Sequence, residues 1–224
     1  MRTYRRRRLA LRGPHRLGLA SVAALVIGAA LLLLGPAAHA FAKDWSIQNL
    51  DATLSVQDNG DVVVDERVTF QFQGNFHYVT RDIPTQNTDG ITDIQVYDED
   101  GTALPKGDAP GQWSTFKSGD KRYITVNFDL TDAAHTWTFH YRAKSVIMFF
   151  DQGDELRWYV FDAETPVGMA AVKATVKLPG SVPADKMTQA VQTGYGVEAN
   201  VSSPGPSTMV FQASDVPAYT QFWI

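Results

Sequence analysis

Residues 58–84 read DNGDVVVDERVTFQFQGNFHYVTRDIP, and their alternation decides the fold class. Val62, Val64, Val68, Phe70 and Phe72 share one parity; Val63, Asp65, Arg67, Thr69 and Gln71 share the other. Successive side chains of a strand point to opposite faces, so this pattern predicts one apolar and one mostly polar face. The preceding Asp58-Asn59-Gly60-Asp61 is a hairpin signal, because Asn and Gly tolerate positive φ. Glu66 interrupts the pattern by standing on the apolar parity, where an unpartnered carboxylate costs several kcal/mol. Arg81 is the candidate partner, since it shares the parity of Val79 in the following strand. Two arrangements fit: a buried Glu66–Arg81 ion pair, or a bulge after Gln73-Gly74 that turns both charges to water.

Outward from this stretch the same period recurs. Ala52, Leu54 and Val56 alternate before the first turn, and Ile94 and Val96 before Asp98-Glu99-Asp100-Gly101. Ile124, Val126 and Phe128 follow Lys117-Ser118-Gly119-Asp120; Trp137, Phe139 and Tyr141 form another apolar parity. Val172, Ala174, Val176 and Leu178 form one more, ended by Pro179. Residues 208–213 and 218–224 close the chain as strands. About ten short strands without convincing helices predict an all-β, antiparallel, immunoglobulin-like β-sandwich over residues 41–224. One short helical turn is expected around Ala184-Asp185-Lys186-Met187. Residues 103–112 and 202–207 read as mobile loops. Val146-Ile147-Met148-Phe149-Phe150 is apolar on both parities, which suits a doubly covered core strand better than an exposed patch.

Residues 1–40 differ in kind. Seven arginines up to Arg16 precede an uncharged run from Leu17 to Leu34, then Gly35-Pro36 and Ala38-His39-Ala40. A basic head, an apolar stretch and small residues at Ala38 and Ala40 have the layout of a signal peptide cleaved after Ala40. The apolar run is ~27 Å long as a helix, so an uncleaved signal anchor is the alternative. Either way the positive-inside rule places residues 41–224 outside the cytoplasm, at the cell membrane. Without those seven arginines the remainder holds 13 basic and 24 acidic side chains, a formal charge of −11. Such a domain is not suited to nucleic acid, which needs basic patches. There is no cysteine, which excludes disulfides, thiol catalysis and Cys-ligated metals.

Searched for catalytic chemistry, the chain offers little. There is no Gly-x-Ser-x-Gly elbow. His77, His135 and His140 are the only histidines after the leader, and His135 and His140 fall on opposite faces of one strand. Each reads as structural or exposed. Asp98, Glu99 and Asp100, and Asp151, Asp154 and Glu155, cluster in turns, where Asp bonds its own backbone. A glycosidase instead needs two carboxylates facing across a cleft, and neither loop has the twelve-residue calcium pattern. No cofactor is expected. Trp113, Phe116, Phe149, Phe150, Trp158, Tyr159 and Phe161 fit either a sandwich core or a carbohydrate- or peptide-binding surface, the core being preferred.

Several of these segments resemble a known family. Asp-Asn-Gly-Asp, Val-Val-Val-Asp-Glu, Phe-Gln-Phe-Gln-Gly and Arg81-Asp82-Ile83-Pro84 are similar to the N-terminal domain of bacterial and archaeal predicted membrane proteins, domain of unknown function 2207. So are ITDIQVYDEDG (91–101), WTFHY (137–141), DELRW (154–158) and KATVKLP (173–179), so the resemblance covers most of residues 45–224. One departure lies at Ala163-Glu164-Thr165-Pro166-Val167, which keeps the family's Pro without its Trp. The resemblance implies that the apolar end, Tyr219 to Ile224, lies inside a strand, with transmembrane helices following it. The expected function is a non-catalytic extracytoplasmic interaction or sensing module. It would be tethered to the membrane by the N-terminal helix and those later helices, with a possible protein partner at the cell surface. A cell-wall or carbohydrate hydrolase using acidic loop residues and a structural spacer are the alternatives.

Overall fold

The computed structural model describes residues 43–194 and 196–224; Ala38 and Ala40, with the leader, lie outside the described residues. Fifteen strands follow in chain order: β1 (Asp44–Val56), β2 (Val62–Gln73), β3 (Asn75–Pro84), β4 (Ile91–Tyr97) and β5 (Gln112–Ser118). Next come β6 (Lys121–Thr131), β7 (Ala134–Ala143), β8 (Met148–Phe150), β9 (Gly153–Glu155) and β10 (Tyr159–Phe161). The last are β11 (Met169–Lys177), β12 (Gln192–Thr193), β13 (Ala199–Gly205), β14 (Thr208–Val216) and β15 (Phe222–Trp223). The only helical element among the described residues is the 3-10 turn Ala184–Lys186. None of those residues forms a helix long and apolar enough to cross a membrane.

One layer is a seven-stranded sheet in the order β13-β14-β11-β1-β2-β7-β4. Facing it are two three-stranded sheets, β3-β6-β5 and β10-β15-β12, which share one continuous core with it. Phe72 of β2 and Trp137 of β7 pack on Phe128 of β6 at 5.2 and 4.8 Å between ring centroids. Alternation explains the burial: Val62, Val64, Val68, Phe70 and Phe72 are all buried, as are Trp137, Phe139 and Tyr141. In β1 a bulge between Ile47 and Asn49 lets Ile47 and the later set Leu50, Ala52 and Leu54 face the same core.

The layers do not fully match the antiparallel expectation. β1 and β11 pair in parallel from Ile47↔Met169 to Ser55↔Lys177. A parallel pair needs a long crossover, and here strands β2 to β10 supply it in place of helices. Two segments expected to be loops also make backbone pairs. Residues 199–205 form the sheet edge β13, held by β14, and residues 104–107 bond to β4 and β5 through Leu104 N–Val96 O and Gly107 N–Trp113 O.

Two turns set the path of the chain between strands. Gly60 has φ +83° at the β1–β2 hairpin, where Asn59 side-chain atoms bond Asp61. Gly74, φ +86°, alone separates β2 from β3, so the chain leaves the large sheet and enters the small one at a single residue. Only a residue free of Cβ constraint takes that backbone without strain.

Candidate functional site

Crossing layers at Gly74 folds β3 back over β2. Glu66 lies eight residues before the glycine and Arg81 seven after it, so the two meet across the core. Glu66 is fully buried, and the Arg81 side chain is 12% exposed. Arg81 Nε donates to Glu66 Oε2 at 2.6 Å and Arg81 Nη2 to Oε1 at 2.9 Å. The Tyr141 hydroxyl of β7 donates to Oε1 at 2.7 Å. Arg81 Nη2 also donates to the Val160 carbonyl of β10 at 2.9 Å, and Nη1 to the Asp82 carbonyl. Both carboxylate oxygens and most guanidinium donors are thus used, as a buried charge pair requires. Burial would lower the arginine's proton affinity, but the adjacent Glu66 carboxylate raises it above the ordinary value. Burial, then the same carboxylate, pushes the Tyr141 hydroxyl well above its usual range.

A second cluster sits beside the first. Lys121 Nζ donates to Asp82 Oδ2 at 2.7 Å, Asp162 Oδ2 at 2.6 Å and Glu164 Oε2 at 2.7 Å. These three carboxylates have the grouping a metal ion would need, and the ammonium stands at their centre. Burial opposes charge on Lys121, but its three partners together raise its proton affinity. Burial would raise the Asp82 carboxyl, yet the Lys121 bond and nearby Arg81 hold it below the usual carboxylate range. Since Arg81 adjoins Asp82, and Asp162 follows Val160 by two residues, the clusters together stitch β3 to β10. Those strands share no ladder. Sequence reasoning did not find Tyr141, the Val160 carbonyl or the Lys121 cluster. Tyr141 carried a signal, being an aromatic hydroxyl on an apolar parity that needs a partner when buried.

Several other carboxylates each have partners of their own. Asp98 Oδ1 accepts Glu99 N at 2.9 Å and lies 2.5 Å from His135 Nε2. Asp100 accepts Thr102 N at 2.9 Å, a bond that lowers its pKa. Glu155 pairs with Arg157 at 2.7 Å. His140 and His77 likewise each meet one aspartate, Asp65 and Asp129. Asp61 is buried; the backbone N–H of Ser145, with Asn59 and Arg142, holds its carboxyl below the usual range against the cost of burial.

The aromatic residues divide. Trp113, Trp158 and Phe161 are buried and Tyr159 half-buried, but Phe116, Phe149 and Phe150 are exposed. The core expectation for residues 146–150 therefore holds at Val146, in part at Ile147, and fails at Phe149 and Phe150. Met148–Phe150 pairs with Gly153–Glu155 as a two-stranded ribbon that joins no larger sheet among the described residues. Phe149 lies over Gly60, where an added Cβ would meet its ring at 3.2 Å.

A family model described as "Predicted membrane protein (DUF2207) N-terminal domain" matches residues 46–223. No curated protein matches the chain. Among solved structures, a candidate protease from Parabacteroides distasonis is similar at 8% identity and TM-score 0.43, covering 80% of this chain and 39% of its own. An M1 zinc metallopeptidase from Deinococcus radiodurans is similar at 11% identity and TM-score 0.44, with 80% and 42% covered. A candidate nutrient-binding protein from Legionella pneumophila is similar at 9% identity and TM-score 0.44, with 80% and 67% covered. The chain thus spans less than half the length of either peptidase. Likeness at these scores carries no functional argument.

Proposed function

The chain belongs to the DUF2207 family of predicted membrane proteins, and from that premise we propose that its β-domain is a non-catalytic, extracytoplasmic interaction or sensing module. In this reading the fold is an immunoglobulin-like sandwich, and the arginine-rich leader directs it across the membrane. The observation that supports a binding role is where the chemistry goes. The carboxylates of Glu66, Asp82, Asp162 and Glu164 are all bonded to internal cations, while the rings of Tyr78 and Phe116 stand uncovered on a sheet face. A general acid or base must reach substrate, whereas Glu66 reaches only Arg81 and Tyr141.

Two measurements test the reading. Protease added outside intact cells should digest the β-domain; protection there, with digestion only after lysis, sinks the extracytoplasmic assignment. The purified full chain should release no reducing ends or amino groups from cell-wall polymers. Turnover abolished by Asp162→Asn or Glu164→Gln would make it a hydrolase.

A further inference from the structure

We propose that the β8–β9 ribbon takes on a third strand, an extended segment of a partner protein rich in basic and apolar residues; this deepens the interaction reading above and rests on it. The backbone selects a polypeptide. β8 and β9 pair with each other from Met148↔Glu155 to Phe150↔Gly153. Among the described residues no other strand or loop backbone bonds to them, so the outer edge of each carries unused N–H and C=O groups. Such an edge recruits an extended chain, whose donors and acceptors repeat at its own spacing; sugars and lipids have no such repeat. A ribbon of two strands is also marginal by itself, and a third strand stabilises it.

The side chains select the sequence of that strand. Phe149 is 66% and Phe150 56% exposed, on opposite faces of β8. Each face also carries a carboxylate: Asp154 stands opposite Phe149, and Glu155 stands opposite Met148 on the face of Phe150. Asp151 at the turn is exposed, as is Asp58, two residues before the Gly60 that underlies the Phe149 ring. Three cations lie at this end. Arg157 is bonded to Glu155, Arg142 to Asp61 and Asp93, and Lys144 is exposed two residues before Val146. Six carboxylates thus meet three cations, and the surface stays acidic. Apolar residues of the partner cover the rings, while its Lys or Arg side chains meet the free carboxylates and the ring faces.

The same pairing disfavours other occupants. A bilayer that took in Phe149 would take in Asp154 beside it, and a carboxylate loses its water there without gaining a partner. A second copy would set one acidic ribbon against another, and like charges facing across strands repel. The chain's own arginine-rich head stays in the cytoplasm in the reading above, so the segment comes from another protein.

The test is fluorescence anisotropy of a labelled peptide of Lys-Lys-Val-Val repeats against the full chain in a non-ionic detergent. That repeat puts both residue types on both faces of a strand. The controls are the matching Glu-Glu-Val-Val peptide and the lysine peptide N-methylated throughout, which cannot donate to a ladder. The lysine peptide should bind saturably, and both controls at least tenfold more weakly. Phe150→Ala and Asp154→Asn should each weaken it threefold or more. Phe116→Ala, on the β3-β6-β5 sheet, should leave it unchanged. Asp154→Asn keeps the side chain's shape, so it reads the charge even where Phe150→Ala disturbs the ribbon. The proposal falls if the lysine peptide does not bind, if the N-methylated peptide binds equally, or if neither Phe150→Ala nor Asp154→Asn weakens binding. The chain has no cysteine, so Phe150→Cys can carry a single environment-sensitive dye. A blue shift of that dye in phosphatidylcholine vesicles without peptide would put the ribbon in a bilayer and overturn the proposal. A dimer dissociated by Phe150→Ala would make the occupant a second copy and overturn it too. None of these outcomes bears on the protease and turnover tests, which judge the interaction reading by themselves.

Discussion

Glu66 and Lys121 meet the same requirement from opposite sides. Glu66 is one carboxylate bonded by three donor groups, and Lys121 is one ammonium bonded by three carboxylates. Their surroundings differ. Every member of the first set is buried or nearly so, whereas Glu164 of the second is 77% exposed. Water can replace a lost partner at the rim and cannot do so in the core. Equal hydrogen-bond counts therefore predict unequal energies, with the inner set worth several times the outer one.

Arg81→Ala is the strongest way to break this comparison. It leaves Glu66 charged between the sheets, frees the Val160 carbonyl and should destabilise the domain by about 3–5 kcal/mol in denaturant unfolding. A loss below about 1 kcal/mol would mean that water enters and that inner and outer clusters are alike. The double variant Glu66→Leu/Arg81→Met should recover most of the loss, because removing both charges removes the desolvation cost as well. Next in size, Tyr141→Phe keeps the ring packed but deletes one bond to a buried charge, for about 1.5–3 kcal/mol. An unchanged unfolding midpoint would show that Arg81 alone satisfies the carboxylate.

What the sequence made legible depends on range. The faces of β2 and β7 rest on period-two alternation, a local signal, and their burial tracks it except at Thr136, which is buried beside Trp137. Glu66 stood out because it violated that alternation. Pairing between distant strands leaves no such mark. The parallel register of β1 with β11 and the contact of β3 with β10 are settled by the sandwich as a whole. Ser202-Ser203-Pro204-Gly205 has loop composition, yet β14 draws it into an edge strand. The apolar run 146–150 reads as core, but parity cannot tell cover on both faces from cover on neither, and Phe149 and Phe150 are exposed. The Lys121 cluster gathers residues from 82, 121, 162 and 164, and in the sequence each looks like an ordinary surface charge.

The outer cluster also gives the smallest and most pH-sensitive effects. Lys121→Met leaves Asp82 and Asp162 partly buried beside each other and should cost about 1–2 kcal/mol near neutral pH, between the exposed and buried limits. Glu164→Gln should cost less than about 0.5 kcal/mol, since its side chain is mostly in water. The pH sign comes from Asp82, whose folded carboxyl lies below its unfolded value. Such a group stabilises the fold above the unfolded pKa, about 3.9, and this stabilisation is lost as pH falls through the lower folded value. Removing Lys121 takes away the main bond lowering that value while burial, which raises it, remains. The stability deficit of the Lys121→Met domain against the native one should therefore shrink as pH falls and Asp82 is protonated. A deficit that stays constant with pH, measured by denaturant unfolding followed by intrinsic fluorescence, would show that Asp82 depends on Arg81 rather than on the lysine, and the two clusters would then count as one.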